Sequence, residues 1–401
     1  MDSIASKKAT ILFTVFIDIF GLGIIIPILP FYVKSLGVSD FGITMLFSVF
    51  AFFAFISTPF LGALSDKVGR RPVLLVSIAS TALGWVIFAL AQNPFFLFLG
   101  RIIDGLAAGN FSTAQSYLSD LSKNEKERTE NLGLIGALFG IGFIVGPMVG
   151  GLLGGINHTL PFWVVAIMAT TNLILAWFNL PETHFPEKKN IKHNYNPLKP
   201  IWNAFLDKPL LPGYFVWFLF SLALSAQQAV FAIYLLRVFN YNEFATGAIM
   251  TFMGVVIALN QGVFLKRFWI KNFKEPDLEL YLFLFFAVGF LMMSFNNIYF
   301  FAVGLLLVTL GHSVLRVVMT SQMVSKAGEK KGEVLGVMNS AMSLGMVVGP
   351  IVAGILIVKW VWGPFVMACA LSLVAFAVIY YSRKKMAGGK LLEDTPINFP
   401  I

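Results

Sequence analysis

Charge is what this chain has least of. Only 12% of its 401 residues are Asp, Glu, Lys or Arg, against roughly 25% in soluble domains. Hydrophobic residues make up 58%, and the mean hydropathy is +0.81. That balance excludes a soluble enzyme or soluble binding module. A single cysteine, Cys369, excludes an intramolecular disulfide and a redox pair. Its place in a late apolar segment reads as a small apolar helix residue. The four histidines, His158, His184, His193 and His312, are scattered, and no nucleotide-binding loop or metal-ligand spacing occurs. No metal, no cofactor, no enzymatic activity and no direct use of ATP are expected. The net charge of +9 would indicate nucleic acid if the basic residues formed a stripe. They sit in loops instead, so no nucleic-acid partner is expected.

What the chain has is long apolar runs. A bilayer core of ~30 Å needs about 20 helical residues, and twelve segments meet that measure: 9–33, 42–65, 72–92, 95–119, 131–154, 160–180, 210–236, 244–265, 279–296, 298–322, 333–357 and 361–382. The first follows Lys7 and Lys8 but is longer than a signal-peptide core of roughly 7–15 residues, so it reads as a retained span. The bilayer is thus the first expected partner. Lys and Arg concentrate on the cytoplasmic side of membranes. With the N-terminus inside, the even-numbered connections and both termini hold 24 of the 29 basic residues. Only Lys34, Arg237 and Lys359 fall outside, while Arg101 and Arg316 lie within spans. Both termini are therefore expected to be cytoplasmic.

The longest connection, 181–209, is rich in Pro, Lys and Asn and follows the sixth span. It divides the chain into an N-terminal six-helix bundle (1–180), a cytoplasmic linker (181–209), a C-terminal six-helix bundle (210–385) and a cytoplasmic tail (386–401). A repeat supports that division. "GLIGALFGIGFIVGPMVGG" (133–151) aligns with "GVMNSAMSLGMVVGPIVAG" (336–354) without gaps, identical at seven of 19 positions. The expected fold is an all-α integral membrane protein of twelve transmembrane helices in two pseudo-symmetric six-helix bundles, with any substrate site between them near the membrane midplane.

Against that background one carboxylate stands out. Asp18 is the only charged residue between Ala9 and Val33, and a charge at the centre of an apolar span costs at least ~2.5 kcal/mol. In span four, Arg101, Asp104, Ser112 and Gln115 are separated by 3, 8 and 3, a spacing that predicts one polar face on a continuous helix. At ~1.5 Å per residue, Asp18 and Asp104 lie at similar depth, each ~14 Å from a membrane surface. One arginine neutralises one carboxylate and leaves the other free to take up a proton. Asp18, Arg101 and Asp104 are the candidate proton-coupling residues. The alternative is a structural Asp18–Arg101 pair joining spans one and four.

The loop after span two reads "GALSDKVGRRP" (62–72). Gly62 and Gly69 free the backbone for a tight reversal, Pro72 suits a helix start, and Asp66 is close enough to pair with Arg70 or Arg71. Span five carries Gly142, Gly146, Gly150 and Gly151 around Pro147. Small residues let helices approach closely, which serves tight packing and sliding alike.

These segments resemble the major facilitator superfamily. "GALSDKVGRRP" is similar to its motif A, and "DIFGLGIIIPILP" (18–30) to the first-span signature of the twelve-span drug/proton antiporters that include the tetracycline exporters. "RIIDGLAAGNFSTAQSYLSD" (101–120) resembles motif B, and "GFIVGPMVGG" (142–151) the antiporter motif C. The resemblance implies a cytoplasmic gate of Gly62, Asp66, Gly69, Arg70, Arg71 and Asp120, closing near Gly332 and Glu333 at the start of span eleven. It also implies alternating access by two rocking bundles and antiport of protons against a small, partly lipophilic molecule, as in multidrug or tetracycline-like efflux. The second-half counterpart of motif A, "QGVFLKRFWIKNF" (261–273), has no Asp, and span three, and span nine after Glu279, lack the intramembrane acids of tetracycline exporters. Tetracycline itself is therefore not the expected substrate.

Gln115, Gln227, Gln228, His312 and Asn339 are the candidate substrate contacts, with Asn260 adding a further polar group. His312 is read equally as a packing residue, and Arg316 as a snorkelling cytoplasmic arginine. Two other functions stay open: export or flipping of an endogenous lipid or metabolite, and a non-transporting receptor on the same fold. The expected location is a bacterial inner membrane, and the oligomeric state is left open, a monomer included.

Overall fold

The computed structural model describes residues 4–183, 207, 209–328 and 330–393. Twelve helices long and apolar enough to span a bilayer follow one another: α1 (Ile4–Lys34), α2 (Asp40–Val68), α3 (Arg70–Ala89), α4 (Pro94–Asp120), α5 (Glu125–Gly154), α6 (Leu160–Asn179), α7 (Leu211–Phe239), α8 (Glu243–Asn272), α9 (Glu275–Met293), α10 (Ile298–Lys326), α11 (Lys331–Lys359) and α12 (Gly363–Glu393). No strand occurs among the described residues. The expected linker lies outside them except for 181–183, Asp207 and Pro209, as does the end of the expected tail from 394 onward.

Capping residues set the helix starts. Ser39, Asn93, Asn124 and Asn297 each accept a backbone N–H of the first turn that follows, satisfying donors that the helix itself cannot. Apolar length alone underestimates several helices. α5 begins at Glu125 rather than 131 and α12 continues to Glu393, because charged residues extend a helix beyond the apolar part that hydropathy detects.

Two departures from regular helix matter more. α4 is interrupted at Ala107–Gly109 between segments Pro94–Leu106 and Asn110–Asp120. The single continuous polar face expected for span four is thus corrected to two faces joined by a turn. Span two holds that turn: Ser57 donates to the Gly105 carbonyl at 2.8 Å, and Thr58 to that of Ala108 at 3.5 Å. The Gly105 carbonyl also accepts the Ala108 N–H at 3.2 Å, so Ser57 adds a second donor there while Thr58 supplies one to Ala108. In α8, Asn260–Trp269 is a π-helix. The Asn260 amide donates to the Leu310 carbonyl (3.0 Å) and to Ser313 Oγ (2.6 Å), and its oxygen accepts from Trp269 Nε1 (2.8 Å). Asn260, 2% exposed and making three side-chain bonds, is therefore a structural joint to α10.

The described residues form two compact units. The first comprises those within Met1–Asn196, Ser225–Ala258 and Met346–Pro364, the second those within Pro197–Leu224, Leu259–Gly345 and Phe365–Ile401. In the first, Tyr32, Trp85, Phe88 and Phe162 form an aromatic box, closed by a bond from the Tyr32 hydroxyl to the Phe88 carbonyl (2.8 Å). In the second, α9 and α10 meet glycine to glycine: a Cβ on Gly289 would stand 2.9 Å from the Gly304 carbonyl. Phe220, Phe286 and Phe290 fill the adjacent core.

Candidate functional site

Four sets of residues in the first unit carry chemistry beyond packing. The first is the intramembrane cluster. Arg101 and Asp104, one helical turn apart on α4, are buried and paired at 3.3 Å. The Arg101 guanidinium also lies over the rings of Phe50, Trp85 and Phe88 at 5.0, 5.0 and 5.3 Å. Such cation–π contacts are worth about 0.5–2 kcal/mol each, so the aromatic box holds the arginine in place. Asp18 is partly accessible. Its interacting neighbours are the Asp104 carboxylate and the Asn110 amide, the latter at the α4 break and also donating to Thr81 Oγ1 at 3.3 Å. Among the described residues no cation pairs with Asp18. The cluster therefore holds two acids and one base, and it is electrically neutral only with one proton aboard.

The second set is the turn between α2 and α3. Gly69 has φ +103°, a backbone conformation glycine adopts without strain. Arg70 pairs with Asp66 and, at 3.4 Å, with Asp120, and donates to Ser65 Oγ at 2.7 Å. Arg71 turns instead to α6, donating to the Trp177 carbonyl at 2.8 Å. Of the two arginines that Asp66 could have reached, it takes Arg70. Glu182, which belongs to no motif in the sequence, caps α3: its two oxygens accept the Arg70 and Arg71 N–H groups at 2.8 and 3.1 Å. A carboxylate at a helix N-terminus is favoured by about 0.3–1 kcal/mol. Gly62, expected in the reversal, lies instead within α2, beside Ser112 of α4 without a close contact, so the reversal is made at Gly69 alone. Gln115 lines a cavity of about 500 Å3 with Arg70, Ser112, Ser119 and Asp120. That groups it with this turn.

The third set is the glycines of α5. Cβ atoms on Gly146 and Gly150 would stand 2.9 Å from Gly23 Cα and 2.7 Å from the Ile24 carbonyl of α1, and one on Gly142 would stand 2.7 Å from Ile19. On the opposite face Gly151 is set against Gly247 of α8, with Cβ to Cα at 3.2 Å. By contrast Gly133, Gly136 and Gly140, nearer the Asp66 end, have nothing within 4 Å of such a Cβ. Pro147 sits within the tightly packed stretch.

The fourth set was not anticipated. Asp40, whose side chain is 2% exposed, pairs with Arg237 and with Lys34 (3.6 Å), and Arg237 also donates to the Ile357 carbonyl at 3.2 Å. Nearby in sequence to Arg237, Glu243 meets His158 at 2.7 Å. Two of the three basic residues assigned to the sparsely charged side of the membrane thus converge on one acid, and that scarcity was the available signal.

The remaining candidates are distributed between the units. Gln227, buried, and Gln228, half-buried, belong to the first. His312, half-buried beside Phe220 at 5.9 Å between ring centroids, and the exposed Asn339 belong to the second. Glu279 in the second unit is tied to Gln322 (2.9 Å) and Arg383 (3.6 Å). No group of three or more potential metal ligands occurs among the described residues.

The family profile described as Major Facilitator Superfamily matches residues 11–274 and 280–400. The quinolone resistance protein NorA of Staphylococcus aureus (strain MSSA476) is 27% identical over 391 residues, 95% of this chain and 97% of that protein. The class C tetracycline resistance protein of Escherichia coli is 29% identical over 272 residues, 65% of this chain and 68% of that protein. Among solved structures, the human organic anion transporter MFSD10 (TETRAN) is similar with a TM-score of 0.69 at 21% identity, covering 94% of this chain and 100% of that one. The nucleoside transporter NupG gives 0.72 at 15% identity, covering 94% and 99%.

Proposed function

Because the chain belongs to the Major Facilitator Superfamily and is a membrane transporter with drug-efflux relatives, we propose that it is a proton-coupled antiporter exporting small, partly lipophilic molecules. The observation that carries this reading is the intramembrane cluster of Asp18 with the buried pair Asp104 and Arg101. A proton taken up there removes the cluster's net charge in surroundings where charge is costly. A proton biases a conformational equilibrium only if the two states bind it with different affinity. Asp18, which lacks the ion pair that Asp104 has, is the group free to supply that difference.

On this reading the halves 1–180 and 210–385 rock about a central site in a bacterial inner membrane, with both termini cytoplasmic. Asp66, Arg70 and Asp120 then form an inner latch that engages the start of α11, at Gly332 and Glu333, when the transporter faces outward. Gly151 of α5, set against Gly247 of α8 in the other half, marks the surface along which the movement occurs, while Gly142, Gly146 and Gly150 lock α5 to α1 within one half. Gln227, Gln228, His312 and Asn339 offer uncharged contacts to a substrate recognised chiefly by aromatic and polar groups.

Inverted vesicles carrying an acid interior test the proposal directly. Lipophilic cations, neutral drugs and amphipathic lipids are added in turn, and release of protons is followed. At least one class should dissipate the gradient with the parent protein and fail to do so with Asp18→Asn. A panel in which no compound moves protons would favour a receptor. Lipid-driven release alone would favour a lipid exporter.

A further inference from the structure

The internal repeat continues beyond the stretch that reveals it. Pro147 and Pro350 are related by an offset of 203 residues, and the same offset relates Lys34 to Arg237, Asp40 to Glu243, Thr44 to Gly247, and Ser48 to Thr251. The contacts obey it too. Ser48 Oγ donates to the Val347 carbonyl at 2.8 Å, while its counterpart Thr251 donates to the Ile144 carbonyl at 3.0 Å. Gly354 is set against Thr44, as Gly151 is against Gly247. Each partner in one contact is the duplicate of a partner in the other. Above these paired contacts the charges break the symmetry. Arg237 reaches Asp40, and Glu243 takes His158.

We propose that Asp40 and Glu243 are the duplicated acids of an outer clasp that holds the end of the transporter opposite Asp66 closed, Asp40 through Arg237 and Lys34, Glu243 through His158. The inference rests on the alternating-access reading, and it assigns the residues that must part for the outward-facing state to form. Asp40 is a positioning residue: it touches no transported group and acts through Arg237. Its carboxylate is sequestered, whereas the side chains of Lys34 and Arg237 remain 37% and 39% exposed. Breaking this pair strands the acid more than the cations, and that asymmetry holds the clasp shut. The contacts beneath are single hydroxyl–carbonyl bonds and close approaches of small residues, which separate at little cost. The holding force therefore resides in the ion pairs of Asp40 with Arg237 and Lys34, joined by the Glu243–His158 contact.

The test uses the full chain with Cys369→Ser and a reporter thiol at Ser48→Cys, a position 2% exposed beneath the clasp. A membrane-impermeant maleimide is added from outside. Labelling should be slow in the otherwise native chain and at least about tenfold faster with Asp40→Asn, Arg237→Gln or Glu243→Gln, since each weakens the closed state relative to the open one. Exchanging the charges, Asp40→Arg with Arg237→Asp, should restore slow labelling that Asp40→Arg alone does not. A merely structural role would not produce that rescue. Thr251→Cys, at the duplicate position, serves as an independent reporter if Ser48→Cys does not fold. Labelling within about twofold of the parent in all three single variants, or no difference between the single and exchanged charges, overturns the clasp. The readout needs neither substrate nor proton gradient, so the two failures are distinct: an unchanged labelling rate in the three single variants of a chain that still moves protons overturns the clasp alone, and the expected labelling pattern in a chain that moves no protons overturns the antiport reading alone.

Discussion

At the scale of single residues, the two intramembrane acids are separable because only one has a cation. Asp104→Asn leaves the buried Arg101 without its carboxylate, and losing one member of a buried pair costs about 3–5 kcal/mol. Asp18→Asn removes a titratable group while keeping its shape and its contact with Asn110. We therefore expect Asp104→Asn to lower the thermal midpoint in detergent markedly and Asp18→Asn to leave it within a few degrees. Asp18→Asn should bind substrate but lose uphill efflux and the pH dependence of exchange. An Asn variant that still concentrates substrate with parental pH dependence would make Asp18 structural. The sequence made Asp18 legible because a lone charge in an apolar span is costly wherever the helix sits. It did not make legible which acid Arg101 takes, since equal depth in the membrane fixes no lateral distance. Asp40 was illegible for a different reason: an acid in the first turn of a helix is ordinary, and only the convergence of distant cations marks it.

At the scale of elements, glycine spacing announced that α5 packs closely without saying against what. The structure divides the residues: Gly142, Gly146 and Gly150 lie against α1, Gly151 against α8, and Gly133, Gly136 and Gly140 against nothing within 4 Å. Gly146→Val forces side-chain atoms into the α1 backbone and should destabilise by about 1–3 kcal/mol, read as loss of the monodisperse folded species. Gly136→Ala should fold as the parent does, and an equal loss from both would refute this division. The irregular helices were harder to foresee. The break in α4 depends on Ser57 and Thr58 of another span, and the π-segment of α8 depends on Leu310 and Ser313. Periodicity within one span carries no information about such partners. For α8 the cluster of Asn260, Gln261 and Gly262 was the local hint. Asn260→Leu deletes all three bonds of its side chain and should cost stability by several times the ~1 kcal/mol of one hydrogen bond, with substrate affinity unchanged in the fraction that folds.

At the scale of the whole molecule, α2 carries an acid of interest at each end, Asp40 in its first turn and Asp66 near its last. A helix of 29 residues with Pro59 in its interior is up to ~44 Å long at ~1.5 Å per residue, so one continuous element connects the proposed outer clasp with the proposed inner latch. On the proposed mechanism the latch stabilises the outward-facing state and the clasp the inward-facing one. Substitutions at the two ends should then act in opposite directions on a single equilibrium. Asp66→Asn alone should slow outside labelling of Ser48→Cys and lower exchange at saturating substrate, with affinity preserved because the central cluster is untouched. Asp40→Asn alone should speed labelling. In the double variant the shifts should largely cancel, returning labelling towards the parental rate. The residues are too far apart for a direct interaction, so cancellation reflects a shared conformational equilibrium. A double variant labelling as fast as Asp40→Asn alone would mean that the two ends open independently, and α2 would not be the element that links them.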